Sequence, residues 1–380
     1  MRTNISLSLI LALAIITGQL VRIPVGTNGR LILLDIVVAF LCLLGLFQSK
    51  FKLIKPPLFI KGATVFITVC CLSLIFTPLH LNFSQYLTAF LYIIRFSLYI
   101  LFGWLLLSGA LIPLRKNINE VLLFSGVGLA VLGLLQFIFL PDLRFLVPGG
   151  WDPHYFRTVS TFLDPNFAGA FFVLTLLLLL SLRRSNFGII ITYIALLTTF
   201  SRSSYLMFLV SGLTLAFLKK SRSLFFKTLI LLCFLLVGFQ IYTKLVSQPR
   251  NIDREKSASF RLNTWQQGWA MFQKSPFFGV GYNAYRYALK EFNLGDEQFI
   301  QTHGASANDS SLLFVAATSG IIGLLSYLFF LFTLIKEAWK QNFILASALS
   351  GLIVHSFFAN SLFYPPILAW IMLSAVSPKK

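Results

Sequence analysis

Two arginines, one carboxylate and one histidine carry the chemistry this sequence can offer. Arg202 stands in Ser201-Arg202-Ser203-Ser204, between two apolar runs. A guanidinium there either snorkels to lipid headgroups or clamps phosphate oxygens through two parallel N–H bonds. The flanking serines add hydroxyls, or backbone N–H groups at a helix start. Arg261 heads a stripe that continues through Trp265, Trp269 and Phe272, at i, i+4, i+8 and i+11. That spacing predicts one face of a helix, capped by Ser257 or Ser259. Its aromatics suit a membrane interface or stacking on sugar rings. His303 and Asp309 lie in His303-Gly-Ala-Ser306-Ala-Asn308-Asp309-Ser310-Ser311. Both are of the type that takes up a proton in general-base work, and both also read as caps or solvated side chains.

Around these four stand weaker signals. Asp164-Pro165-Asn166 suits the first turn of a helix, with capping as its default reading. Ser275-Pro276-Phe-Phe-Gly279-Val-Gly281-Tyr282-Asn283 predicts a turn and a helix start; as a phosphate cradle it lacks the third glycine of a dinucleotide fingerprint. Arg95 and Asp35 sit inside apolar runs, where charge is costly; they predict a buried ion pair, with substrate contact as the other use of Arg95. His80, His154 and His355 have no ligand spacing and no paired acidic cluster appears, so no metal and no cofactor is expected. Cys42, Cys70, Cys71 and Cys233 all fall in apolar runs, which excludes a disulfide framework.

The elements that position these residues are membrane helices. Of 380 residues, 57% are hydrophobic and 11% charged, against about 25% charged in ordinary soluble domains. An all-α polytopic membrane protein follows, with about twelve spans: 5–21, 31–47, 58–77, 86–108, 120–140, 166–182, 187–200, 203–218, 224–242, 308–335, 342–358 and 361–376. The seventh and eighth are short enough to be broken or re-entrant. With the N-terminus inside, the inner segments hold seventeen Lys and Arg and the short outer loops hold Arg22, Arg30, Arg144, Arg157 and Arg202. By the positive-inside rule both termini face the cytoplasm. The chain divides into helices one to nine (1–242), a large outward-facing loop (243–307) and helices ten to twelve (308–380). The net charge of +19 fits basic loops meeting anionic lipid heads rather than nucleic acid. No internal repeat of the kind common in transporters is visible.

Order and sidedness of the motifs resemble the bacterial O-antigen ligase and O-antigen polymerase superfamily of integral-membrane glycosyltransferases (the GT-C class). The matches are Pro165-Asn166 at span six and Ser201-Arg202 at the end of span seven. Then come Ser257 or Ser259 through Arg261, Trp265, Pro276, Gly279 and Gly281. Asn308 follows, ahead of a helix with Gly320 and Gly323. The resemblance implies a glycan donor on a polyprenyl diphosphate, at the outer face of the bacterial cytoplasmic membrane. The acceptor would be a lipid core, a growing polysaccharide or a protein. It also implies metal-free transfer with Arg202 and Arg261 converging on the diphosphate, and His303 or Asp309 as base. Ser201, Asn166, Trp265, Tyr282, Asn308 and Arg95 would lie on the substrate side. The chain departs from the pattern at Ala307, where the family carries a histidine. A transporter or flippase of lipid-linked glycans and a non-catalytic scaffold of a glycan assembly complex stand as the alternatives.

Overall fold

Long runs of Leu, Ile, Val and Phe with scarcely a charge leave the backbone one way to satisfy its N–H and C=O groups away from water, which is the helix. The computed structural model describes residues 2–26, 29–247 and 254–377, with backbone alone for 2–6, 247 and 254–258. Helices α1 (Arg2–Thr17), α2 (Leu33–Gln48), α3 (Leu58–Ile75) and α4 (Phe83–Leu107) come first. The short α5 (Ile112–Lys116) leads into α6 (Ile118–Phe139), α7 (Pro165–Ser181), α8 (Asn186–Thr199), α9 (Arg202–Leu218) and α10 (Arg222–Tyr242). The polar segment then holds α11 (Arg254–Lys274), α12 (Tyr285–Glu291) and α13 (Glu297–Gln301), and α14 (Ser311–Gln341), α15 (Phe343–His355) and α16 (Pro365–Val376) complete the fold.

Each of the twelve expected spans has its apolar helix. Five are long and apolar enough to cross a membrane; the other seven run 10–17 residues. Helix α10 shows why lipid must surround them. Its buried residues are Thr228 and Leu235, while Phe226, Ile230, Phe234 and Val237 face outward, a display too apolar for water. This is a multi-pass membrane protein.

Two elements depart from expectation. Between α1 and α2, strand β1 (Arg22–Val25) pairs antiparallel with β2 (Gly29–Ile32), a two-stranded hairpin. Helix α11 is described from Arg254, so Ser257 and Ser259 lie inside it rather than at its N-cap. The side chain of Ser257 falls outside the described residues.

The expected ion pair is present. Arg95 Nη2 lies 2.7 Å from Asp35 Oδ2. Asp35 also accepts from the Tyr99 hydroxyl at 3.0 Å and from the Ile32 N–H at 3.0 Å. Arg95 donates besides to the Arg30 carbonyl and covers the Tyr92 ring at 4.5 Å. The guanidinium is thus taken up in tying α2 and β2 to α4, which leaves it little for a substrate.

Helix α14 is broken at Gly320, whose φ of 65° and ψ of −168° suit only glycine. The turn at 276–281 docks into the break. Val280 N–H donates to Ala317 O and Gly281 N–H to Thr318 O, both at 3.0 Å, and Ile321 N–H donates to Pro276 O at 2.8 Å. The two backbones pass so closely that a Cβ on Gly279 would sit 2.3 Å from Ser319 N. Gly279 and Gly281 therefore fasten the polar segment to the bundle, and their N–H groups are spent on Ser275 O within the turn and on Thr318 O of α14 rather than on a phosphate. Tyr282, just beyond, is turned into the core against Phe66, Phe314 and Phe363. It is not placed to touch a substrate.

Candidate functional site

Three helix ends meet beside the polar segment. Asp164 caps α7, its Oδ1 accepting from Asn166 N–H at 2.7 Å and Phe167 N–H at 3.1 Å. Asn166 Oδ1 in turn accepts from Ser201 Oγ at 2.8 Å. Ser201 caps α9, and Ser203 Oγ lies 3.3 Å from His355 Nε2 at the end of α15. These contacts bring the α7, α9 and α15 ends into one polar knot, in which Ser201 and Asn166 hold each other.

Helix α11 packs on α14 through Thr264 and Met271, both buried, with Gly268 between them. The packing face is thus one step round from the Arg261–Trp265–Trp269–Phe272 stripe. Arg261 and Trp265 are left half-buried at its edge, and Trp269 lies exposed, stacked obliquely on Phe272 with centroids 5.3 Å apart. Trp265 Nε1 is buried without a partner. Asn308 is fully buried and spent on structure. Its amide donates to the Thr264 carbonyl and, at 3.0 Å, to the Tyr285 hydroxyl, and its Oδ1 accepts from Ser310 N–H at 2.9 Å. It positions the next residue, Asp309, between the polar segment and the start of α14. Asp309 Oδ2 accepts from Thr264 Oγ1 at 3.2 Å.

Arg261 acts electrostatically on Asp309 and Asp164. Burial pushes the Asp309 carboxyl up to about 6, against the pull of Arg261 and the Thr264 hydroxyl. Opposite stand residues from the loop between α6 and α7: Asp152, His154 and Arg157. Arg157 lies within charge reach of Asp164 and Arg261 and donates Nε–H to Thr199 O at 2.9 Å. Asp152 is open to solvent yet surrounded by protein, as a group lining a concave wall is. That enclosure, then Asp164 and Asp309, push it up to about 6. His154 is buried, held neutral down to about pH 3 by its burial and by Arg157, and its Nε2 has no partner.

Asp152, His154 and Asp164 bring one ligand atom each to within 4.8 Å of one another. Their spacing along the chain hides this grouping, and only the fold assembles it. As a cation site it has Arg157 and Arg261 as like-charged neighbours, and Asp164 Oδ1 is already engaged in capping. The chemistry of the same groups equally suits accepting protons or making hydrogen bonds to a polar ligand.

Of the residues expected at the site, the structure brings together Arg261, Asp309, Asn166 and Ser201, with Trp265 at the edge. Arg202 is exposed at the first turn of α9 and joins none of these contacts; Arg157 takes the place beside Arg261 that Arg202 was expected to fill. His303 belongs to a different group, against Arg22 and Trp151. In the sequence nothing singles out Asp152, His154 is set aside for want of ligand spacing, and Arg157 counts only as an outer-loop charge. The signal available was the length and polarity of the 141–164 loop, in a chain whose other loops before residue 242 are short.

The fold defines a polytopic helical membrane protein with one long polar segment, at whose end carboxylates and arginines gather, a grouping whose chemistry suits a polar or anionic group. Residues 187–328 match the family model described as O-antigen ligase. The match runs from α8 through α11 to beyond the Gly320 break, so it contains Ser201-Arg202, Arg261, Asn308 and Gly320-Gly323. The resemblance to the O-antigen ligase and polymerase superfamily stands on this match as well as on the motifs. No curated protein matches the chain.

Proposed function

We propose that this protein transfers a glycan from a polyprenyl-diphosphate carrier to an acceptor hydroxyl, at the outer face of the cytoplasmic membrane and without a metal. The observation that carries this reading is the hold of α11 on Asp309 through Thr264, three residues on from Arg261 and within its charge reach, inside the segment that matches the O-antigen ligase family. Transfer needs that arginine and that carboxylate. The acceptor oxygen attacks the anomeric carbon as the bond from that carbon to the diphosphate oxygen breaks. The electron pair leaves with the lipid diphosphate, and the acceptor proton passes to a base. Arginines preorganised at the leaving oxygen stabilise charge that develops only in the transition state. Arg261 takes that role, with Arg157 beside it and Arg202 at the rim.

For the base, Asp309 is preferred to His303. A carboxyl poised near pH 6 is matched to accepting a proton at neutral pH, whereas His303 is pushed down to about 4 by burial and by Arg22, Arg286 and Arg30. Asp309 thus stands in for the histidine missing at Ala307. Trp265 and Trp269 offer faces on which sugar rings stack.

The test is release of bare lipid diphosphate from a short polyprenyl-diphosphate glycan, with a mixed acceptor extract and a chelator present. Wild type should release it. Arg261→Ala should lose about 10²–10³-fold in turnover, the usual cost of one preorganised charge-stabilising donor. If the chelator abolishes release, the Asp152–His154–Asp164 grouping holds a required cation and metal-free transfer is wrong. If no donor is cleaved and glycan instead crosses vesicle membranes, the protein is a transporter.

A further inference from the structure

A second charged group, built on residues other than the carboxylates and their partners, consists of arginines. The hairpin register pairs Arg22 with Ile32 and Pro24 with Arg30. Residues directly opposite in an antiparallel pair share a face, as do i and i+2. Arg22 and Arg30 therefore project from one side of the hairpin. Arg22 Nη1 lies 3.1 Å from His303 Nε2, and its guanidinium covers the Trp151 ring at 4.5 Å. The Trp151 and His303 rings meet at 4.7 Å, and His303 N–H is tied to Gly150 O at 2.9 Å. Arg286, on α12, reaches the same place and donates Nη2 to Thr302 O at 2.7 Å. All three arginines act electrostatically on His303.

Each guanidinium is oriented by a neutral partner: an imidazole and an indole face for Arg22, the Gly29 carbonyl for Arg30, the Thr302 carbonyl for Arg286. Among the described residues no ion pair joins any of the three to a carboxylate; the pairs formed involve Arg95, Arg144, Arg184 and His80. Three half-buried cations held together without a counter-charge repel one another. The arrangement is stable where an anion supplies that charge, and a guanidinium offers phosphate oxygens two N–H groups at once. Arg22, Arg30 and Arg286 come from three separate elements, so a tetrahedral anion placed among them would be gripped from several directions.

We propose that Arg22, Arg30, Arg286 and Trp151 form an anion site for a phosphate or diphosphate group, distinct from the Arg261–Asp309 site. Two sources carry that chemistry: the headgroup of a membrane phospholipid, and the phosphate of a water-side ligand. The proposal does not depend on glycan transfer, because binding is read without turnover.

The experiment uses the full-length protein in detergent. Calorimetric titration with inorganic pyrophosphate is compared for wild type, Arg22→Gln/Arg286→Gln, Arg30→Gln and Arg261→Gln. Native mass spectrometry of the same samples counts retained phospholipid. A water-side phosphate predicts that pyrophosphate affinity falls on the order of tenfold for each arginine lost, about 1.4 kcal/mol each, with retained lipid unchanged. A headgroup predicts that retained phospholipid falls in the double variant while the pyrophosphate isotherm does not move. The proposal is overturned if both measurements are unchanged, or if only Arg261→Gln abolishes pyrophosphate binding. Should the glutamine variants fail to fold, wild type decides alone. Pyrophosphate should raise its unfolding temperature in a salt-sensitive way, or phospholipid should stay bound through detergent exchange; neither happening sinks the idea.

Discussion

At the scale of single residues, the sharpest expectation concerns Asp309. Burial lifts its carboxyl to about 6, so the ionised, proton-accepting form exists above that pH and is lost as pH falls through it. Turnover in wild type should therefore drop below about pH 6. Asp309→Asn keeps the size and still accepts from Thr264, but cannot take a proton. Turnover should fall about 10²-fold, the acid limb of the pH profile should flatten, and KM should change little. The check is a kcat–pH profile from pH 5 to 8. Asp152 is also pushed up to about 6. If the acid limb survives Asp309→Asn and vanishes in Asp152→Asn, the base is Asp152 and the Asp309 assignment is wrong. Sequence could suggest Asp309 because it stands in a dense polar run at a helix start. It could not suggest Asp152 or His154, because nothing in residues 150–158 announces that α7 brings Asp164 to meet them. Arg95 and Asp35 were readable as partners for the opposite reason. Two lone charges of opposite sign in apolar helices have few ways to be satisfied except by each other. Tyr282 was misleading because an aromatic beside a Gly-rich turn reads the same whether it faces solvent or core.

At the scale of elements, the apolar runs were legible because helix is the form a long apolar run takes in lipid. The hairpin at 22–32 was not, since four-residue strands leave almost no alternation to read. Nor was the break in α14. Gly320 and Gly323 look in sequence like a close-packing pair, yet Gly320 is the point at which the helix opens to receive the 276–281 turn. This docking holds α11 and its arginine at the bundle, so it has a functional consequence. A Cβ at Gly320 would meet Phe277 O at 2.2 Å with φ at +65°, and neither side can yield because both are backbone. Gly320→Ala should cost about 1–3 kcal/mol from the strained conformation alone, with the clash added. Its thermal unfolding temperature should fall by several degrees and glycan transfer should fall with it. In contrast, Gly149→Ala, where the added Cβ meets only Trp151 Cδ1 at 3.6 Å, should leave stability nearly unchanged. Equal stability of the two variants, followed by thermal unfolding in detergent, would mean the docked turn is not what fastens the polar segment.

At the scale of the whole molecule, the question is which end of the bundle faces out. The fold brings the 243–307 segment, the 141–164 loop and the hairpin to one end of the bundle, through contacts of Arg22 with His303 and of His303 N–H with Gly150 O. All of these belong to the end that the lysine-rich turns do not occupy. Orientation itself is decided during insertion, when Lys and Arg resist translocation. For that reason the charge count speaks to it and the packing does not. Seventeen basic residues against five predict the lysine-rich turns in the cytoplasm and the site outside, where the proposed lipid-linked glycan would meet it. A pair of single cysteines tests this. With Cys71 and Cys233 changed to Ala, Asp296→Cys adds a thiol at an exposed position in the polar segment, and Asn186→Cys adds one at the opposite end. In spheroplasts a membrane-impermeant maleimide should label position 296 at once, and position 186 only after the membrane is opened. The reverse pattern would put the site in the cytoplasm, and a transferase acting on glycans already carried outward would no longer be tenable.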